Sequence, residues 1–145
     1  MKVVLQRTKK ATVKVKEKVI GQIEEGLVIL VGFTEHDNEE IIEKMIDKII
    51  NLRIFDDDKK LMNLSLLDVK GSILSISQFT LYADTKKGRR PSYINSLHYI
   101  EAEKLYKTFN QLLLKKNINV QTGIFGENME VSLINDGPVT IIIEI

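Results

Sequence analysis

Leu27-Val28-Ile29-Leu30-Val31 is an apolar run with no polar member, entered through the turn Glu25-Gly26. A run of this kind reads as a strand covered on both faces. Shortly after it the period changes. Ile41, Ile42, Met45, Ile46, Ile49 and Ile50 fall on one half of a helical wheel, and Glu40, Glu43, Lys44, Asp47 and Lys48 fall on the other. The spacing predicts a helix from about Asn38 to Leu52, and Asp37 followed by Glu40 has the spacing of a capping box.

Reading outward adds strands on both sides. Val13 and Val15 alternate with Lys14 and Lys16, and Val19-Ile20 leads through Gly21 to Ile23. Arg53-Ile54-Phe55 is extended, Asp56 to Lys60 is a polar turn, and Ile73 to Ser77 alternates into Gln78-Phe79. A second helix covers about Ser96 to Lys116, with Ala102, Leu105, Tyr106, Phe109, Leu112 and Leu113 on one arc. Ile118 to Thr122, Met129 to Ile134 and Val139 to Ile145 complete the strands. The last two are joined by Asn135-Asp136-Gly137-Pro138, which reads as a hairpin turn. Strands in runs, interrupted by only two helices, favour an α+β fold of mainly antiparallel sheet over the alternation of a doubly wound fold. The isolated Pro91 and Pro138, scattered glycines and lack of repeats point to one domain across residues 1–145.

Composition excludes whole classes of function. A chain of 145 residues buries a core large enough to need no staple, and the absence of cysteine removes disulfide scaffolds, thiolate metal sites and cysteine catalysis. With 21 basic and 20 acidic residues the net charge is +1, which excludes a broadly basic nucleic-acid coat but not a local patch. No apolar run approaches the ~20 residues of a membrane helix, and Met1 to Arg7 has too short an apolar part for a signal peptide. The expectation is a cytoplasmic protein with no membrane contact.

The catalytic menu is short. His36 precedes a helix in a polar loop, where an exposed side chain is expected, and His98 falls near the apolar arc of the second helix, where half-buried packing is expected. Zincin spacing, a nucleophile elbow and a Walker loop are all missing; Gly123-Ile124-Phe125-Gly126 is not a nucleotide loop. Asp56 to Asp58 lacks the spaced ligands of a calcium site and reads as a solvated turn. Neither a metal nor a cofactor is expected.

Two segments stand out. Ser77-Gln78-Phe79-Thr80-Leu81-Tyr82-Ala83-Asp84 sets hydroxyl and amide groups beside aromatics at a strand end, and Lys86, Lys87, Arg89 and Arg90 follow at once. Taken alone these are a strand terminus and a solvated charged loop. Side by side they suit a phosphate-bearing substrate. In Asn135 to Thr140 a tight turn is the plain reading, while glycine there also permits close backbone approach to a ligand.

At these residues the chain resembles the D-aminoacyl-tRNA deacylases. Ser-Gln-Phe-Thr-Leu-x-Ala is matched at Ser77 to Ala83 and Asn-x-Gly-Pro-Val-Thr at Asn135 to Thr140. The similarity continues through Gly26 to Gly32, Leu52 to Phe55, Met62 to Ser65, Lys87 to Ser92 and Thr122 to Gly126, and so covers nearly the whole chain. The resemblance implies a homodimer of barrel-like, mainly antiparallel sheets. It also implies hydrolysis of the ester joining a D-amino acid, or misattached glycine, to tRNA, without a cofactor. Ser77, Gln78, Phe79 and Thr80 would border the ester, with backbone N–H groups as oxyanion donors. Gly137-Pro138 would be a cis pair entering the partner subunit's site, receiving the α-amino group on its carbonyls and excluding an L side chain.

Arg7 would support that loop from near the end of the first strand. Phe125 and Met129 would line the terminal adenosine pocket or the adjacent wall, and Lys86, Lys87, Arg89 and Arg90 would meet the tRNA. Glu127, where the family usually has Ala, and Lys60-Leu61, in place of Gly-Lys, are departures. No base lies near Thr80 in its motif, which favours water attack assisted by the ribose 2′-hydroxyl over a threonine nucleophile. The rival reading is a non-catalytic RNA-binding barrel in which Phe79 and Tyr82 stack on single-stranded ends.

Overall fold

A computed structural model describes all residues 1–145. Its spine is β1 (Lys2–Val15), followed by β2 (Lys18–Ile23), β3 (Gly26–Gly32), α1 (Glu39–Asn51), β4 (Phe55–Asp56), β5 (Met62–Leu64), β6 (Ser72–Ser77), a 3₁₀ helix (Phe79–Tyr82), α2 (Tyr99–Lys115), β7 (Val120–Thr122) and β8 (Glu130–Glu144). One side of β1 pairs antiparallel with β3 along Lys2 to Thr8 and with β2 along Ala11 to Val15; β8 pairs antiparallel from Lys2 to Lys14. The sheet then continues β3-β6-β7 by parallel pairing, while β4 and β5 form a small hairpin. The expected α+β class with mostly antiparallel, barrel-like sheet is what forms.

β1 serves both halves of the interior because its pleat changes phase. Val3 and Leu5 are buried with the helices, Lys9 and Lys10 are exposed where the β8 register shifts, and Ala11 and Val13 point into a second cluster with Ile23, Val28, Leu74 and Ile76. The apolar run of β3 is thereby explained. Leu27, Ile29 and Val31 face the helices and Val28 faces the barrel interior, so both faces are indeed covered.

α1 buries Ile42, Met45, Ile46, Ile49 and Ile50, the predicted stripe, at roughly 1.5–3 kcal/mol of gross transfer energy per side chain. Its cap differs from the expected one. Asn38 Oδ1 accepts from the Ile41 N–H at 3.1 Å, while Asp37 is already engaged by the Thr34 N–H at 2.8 Å and the Met1 ammonium at 2.7 Å. α2 begins at Tyr99 rather than Ser96, and His98 at its N-cap is exposed rather than half-buried, because the apolar arc starts at Ala102. His36 is exposed as expected. No helix is long and apolar enough to cross a membrane.

The largest difference from expectation lies at Asn135 to Val139. Met129 to Ile134 and Val139 to Ile145 do not form a hairpin with each other. Both halves pair in the same direction with β1, Asn135 opposite Thr8 and Thr140 opposite Gln6, so Asp136 to Val139 bulge out of one long strand.

Candidate active site

β6 ends at Ser77, not at Phe79 as its alternation suggests, and the chain turns at once into the 3₁₀ helix. The Gln78 N–H donates to Val31 O at 2.8 Å, continuing the β3 ladder by one bond. That amide is therefore spent. The N–H groups of Phe79 and Thr80 open a helical turn, where donors have no intrahelical acceptor. The Gln78 side-chain amide donates to Thr80 Oγ1, and no histidine, lysine or carboxylate bonds to that hydroxyl.

Ser77, Gln78 and Phe79 of this corner line a cleft of about 640 Å³ beside the last residues of β3 and β6. Val31, Ile76, Met129 and Val131 line it together with Ser77, Gln78 and Phe79 and with Tyr99, Phe125, Glu127 and Asn128. Phe125 is held edge-on to Tyr99, with centroids 5.1 Å apart, and rests on Tyr106 at 5.8 Å. Tyr106 is fixed in turn by donating to Ser75 O at 2.7 Å. Burial raises its phenol above the ordinary value, so it remains a neutral donor. Gly126 carries φ +79°, and a Cβ there would lie 2.3 Å from Tyr99 Oη. Only glycine lets this turn close over the tyrosine.

Among the expected site residues, Ser77, Gln78, Phe79, Phe125 and Met129 meet in this cleft. Thr80, next in the chain within the 3₁₀ helix, does not itself line the cleft. Tyr99 joins them although the sequence offered only an aromatic at the start of a helix. Lys86, Lys87, Arg89 and Arg90 are exposed on a loop closed at its base by paired bonds between Asp84 and Ser92, at 2.7 and 2.9 Å. None of the four has a carboxylate within ion-pair distance.

Gly137 and Pro138 lie elsewhere. The bond between them is cis, both residues are exposed, and neither lines the cleft of its own chain. Their bulge is tied down from inside. Asn135 Oδ1 accepts from the Val139 N–H at 3.0 Å, and Asn135 Nδ2 and Gln6 Nε2 both donate to Thr140 Oγ1, at 3.0 and 3.2 Å. The motif's Asn and Thr are thus the staples of the bulge. Arg7 sits in mid-strand rather than near the end of β1, and is almost fully buried. Its Nε donates to Asp136 O at 3.2 Å and pairs with Asp136 Oδ2 at 3.3 Å, while Nη1 donates to Ile54 O at 2.7 Å and pairs with Asp56 Oδ1 at 3.2 Å. One guanidinium therefore locks the bulge to the β4–β5 hairpin. The acidic turn proves structural as well: Asp57 accepts from the N–H groups of Lys59 and Leu61.

Known proteins share this arrangement over its full length. Residues 4–144 match the family model described as D-Tyr-tRNA(Tyr) deacylase. A protein named D-aminoacyl-tRNA deacylase from Bacillus cytotoxicus is 54% identical over 144 residues, 99% of each chain. One of the same name from Thermosipho africanus is 52% identical over 99% of this chain and 97% of its own. Among solved structures, c-Myc DNA Unwinding Element Binding Protein superposes with a TM-score of 0.93 at 37% identity, covering 99% of this chain and 98% of that one. A probable eukaryotic D-amino acid tRNA deacylase, at 18% identity and a TM-score of 0.86, shares the fold. With the family model matched across residues 4–144 and relatives more than half identical over nearly the whole chain, the chain belongs to the D-Tyr-tRNA(Tyr) deacylase family.

Proposed function

We infer that this protein hydrolyses the ester of D-aminoacyl-tRNA, releasing free tRNA and the D-amino acid. The observation that carries the reading is the cleft itself, lined by Ser77, Gln78 and Phe79 together with Tyr99 and Phe125, and followed in the chain by a loop with four unpaired cations. The terminal adenosine lies against Phe125, Tyr99 and Met129, and the ester carbonyl faces the corner. Phe79 and Thr80 offer the oxyanion its backbone donors, Gln78 having given its own to Val31.

Water adds to the ester carbonyl, the bond from that carbon to the ribose oxygen breaks, and the proton ends on the departing oxygen. The ribose 2′-hydroxyl is the group placed to relay the proton. Thr80 Oγ1 is occupied as an acceptor from Gln78 and has no base beside it, which argues against a threonine nucleophile.

Chirality is set by a second chain. Gly137-Pro138 enters the cleft of a partner subunit, its carbonyls take the α-amino group, and its backbone fills the space of an L side chain. Glycine has no side chain to clash and is hydrolysed too. Support for this comes from the bulge, which is exposed at Gly137 and Pro138, stapled by Asn135, Thr140 and Arg7, and no part of its own chain's cleft. Exclusion by a rigid clash discriminates more sharply than one added attraction.

The test is to follow ester loss from D-Tyr-tRNA, L-Tyr-tRNA and Gly-tRNA. The D and glycyl esters should be cleaved and the L ester spared. Equal cleavage of D and L esters, or cleavage of neither, overturns the reading.

A further inference from the structure

Beyond the cleft, Phe79 makes an edge-on pair with Tyr93, their centroids 5.0 Å apart at 67°. Both rings are conspicuously open to solvent, Phe79 at 57% and Tyr93 at 40%, and the neighbouring Ile94 is the most exposed large apolar residue of the chain at 86%. This edge is fixed in place. Ser96 Oγ donates to Phe79 O at 2.9 Å, Thr34 Oγ1 to Asn95 O at 2.7 Å, and the Leu97 N–H to Phe33 O at 2.9 Å. The Asp84–Ser92 clamp ends one residue before Tyr93, so the ring stands at the foot of the basic loop. Tyr82, the other aromatic of the segment, is unsuited to stacking: its hydroxyl is buried and its ring is covered by the Lys2 ammonium at 5.0 Å.

We propose that the Phe79–Tyr93 edge is a stacking subsite for the unpaired nucleotides that precede the esterified one in the substrate, their phosphates lying along Lys86, Lys87, Arg89 and Arg90; this rests on the deacylase reading of the cleft. Exposed rings beside unpaired cations match the two faces of single-stranded RNA, whose bases stack on aromatics while its phosphates seek positive charge. A duplex would offer the phosphates but keep its bases stacked among themselves. Phe79 also lines the cleft, so the subsite adjoins the place of the ester.

The experiment compares steady-state hydrolysis of D-Tyr-tRNA with that of 3′-O-D-tyrosyl-adenosine, which has the ester but no preceding nucleotides. Tyr93→Ala should raise KM for the tRNA about tenfold with kcat nearly unchanged, the scale of one lost base stack. The loss should be confined to the tRNA substrate. Tyr93→Phe should restore the tRNA KM, since the stacking ring and not the hydroxyl is used. Tyr93→Leu, which keeps an apolar contact on Phe79 but has no ring, should behave like Tyr93→Ala and controls for local folding. Lys87→Gln with Arg90→Gln should flatten the salt dependence of the tRNA KM. An unchanged KM for tRNA in Tyr93→Ala, or equal losses on both substrates, overturns the subsite. A wild-type protein that cleaves neither substrate overturns instead the deacylase reading on which it rests.

Discussion

Arg7→Met removes a guanidinium that holds two carbonyls and two carboxylates while keeping an unbranched stem of similar reach. Two backbone acceptors, Asp136 O and Ile54 O, lose their donor, and Asp56 and Asp136 lose a countercharge. Removing one partner of a fully buried pair costs about 3–5 kcal/mol. Here Asp56 is 46% and Asp136 31% exposed, so water recovers part of the loss and about 2–4 kcal/mol is expected. At roughly 3 °C per kcal/mol for a domain of this size, the melting temperature should fall by about 6–12 °C. The neighbouring Lys9–Asp136 pair is a useful contrast. At 3.2 Å it is no longer than the Arg7 ion pairs, but Lys9 is exposed, so Lys9→Ala should cost at most about 1 kcal/mol. Urea denaturation and thermal melting give the stability difference, and D- against L-Tyr-tRNA hydrolysis gives the functional one. Loosening the bulge should narrow the preference for the D ester even where the protein remains folded. A loss below about 1 kcal/mol together with unaltered chiral preference would refute the idea that Arg7 is the lock.

Three further outcomes follow from the same contacts. Gly137 has φ +123°, and a Cβ there would meet Val139 Cγ2 at 2.8 Å, so Gly137→Ala should reshape the bulge and sharply lower deacylation of D-Tyr-tRNA; wild-type rates would mark the residue as a turn residue only. Thr80→Ala should keep a substantial rate on the same substrate, and complete loss with folding and tRNA binding intact would restore the threonine as nucleophile. Hydrogen bonds from the Ser65 hydroxyl and N–H hold the Asp68 carboxyl below its ordinary value, so the stability it contributes is full above about pH 4 and is lost as pH falls through the depressed value. Asp68→Asn should accordingly weaken the acid limb of the stability curve, and an identical limb in both proteins would refute the assignment.

How far the sequence revealed this fold depends on the range of the forces involved. α1 was legible because its apolar stripe is set by residues three and four apart, and the buried character of β3 because five apolar residues in succession leave no solvent face. The cap at Asn38 is not legible locally because the Asp37 carboxylate is claimed by the Thr34 N–H of the turn before the helix and by the distant Met1 ammonium. Asn-Asp-Gly-Pro carries every local sign of a hairpin; that both flanks bind β1 is a tertiary fact with no local trace. Ser77 to Thr80, Phe125 and Met129 were found through motif resemblance, while Tyr99 and Tyr93 were missed because an aromatic near a helix start reads as packing until its exposure is seen.

The phase change in β1 has a consequence for how the chain is made. β1 leaves the ribosome before β8, which completes its pairing, and roughly 115 residues separate Val15 from Glu130, about 6–23 s of synthesis at ~5–20 residues per second. For that interval one border of the longest early strand has no native partner and can recruit another chain. Lys9 and Lys10, standing exposed at the bend, place charge in the middle of that border. Charge at these two positions opposes edge-to-edge association while that border stands open.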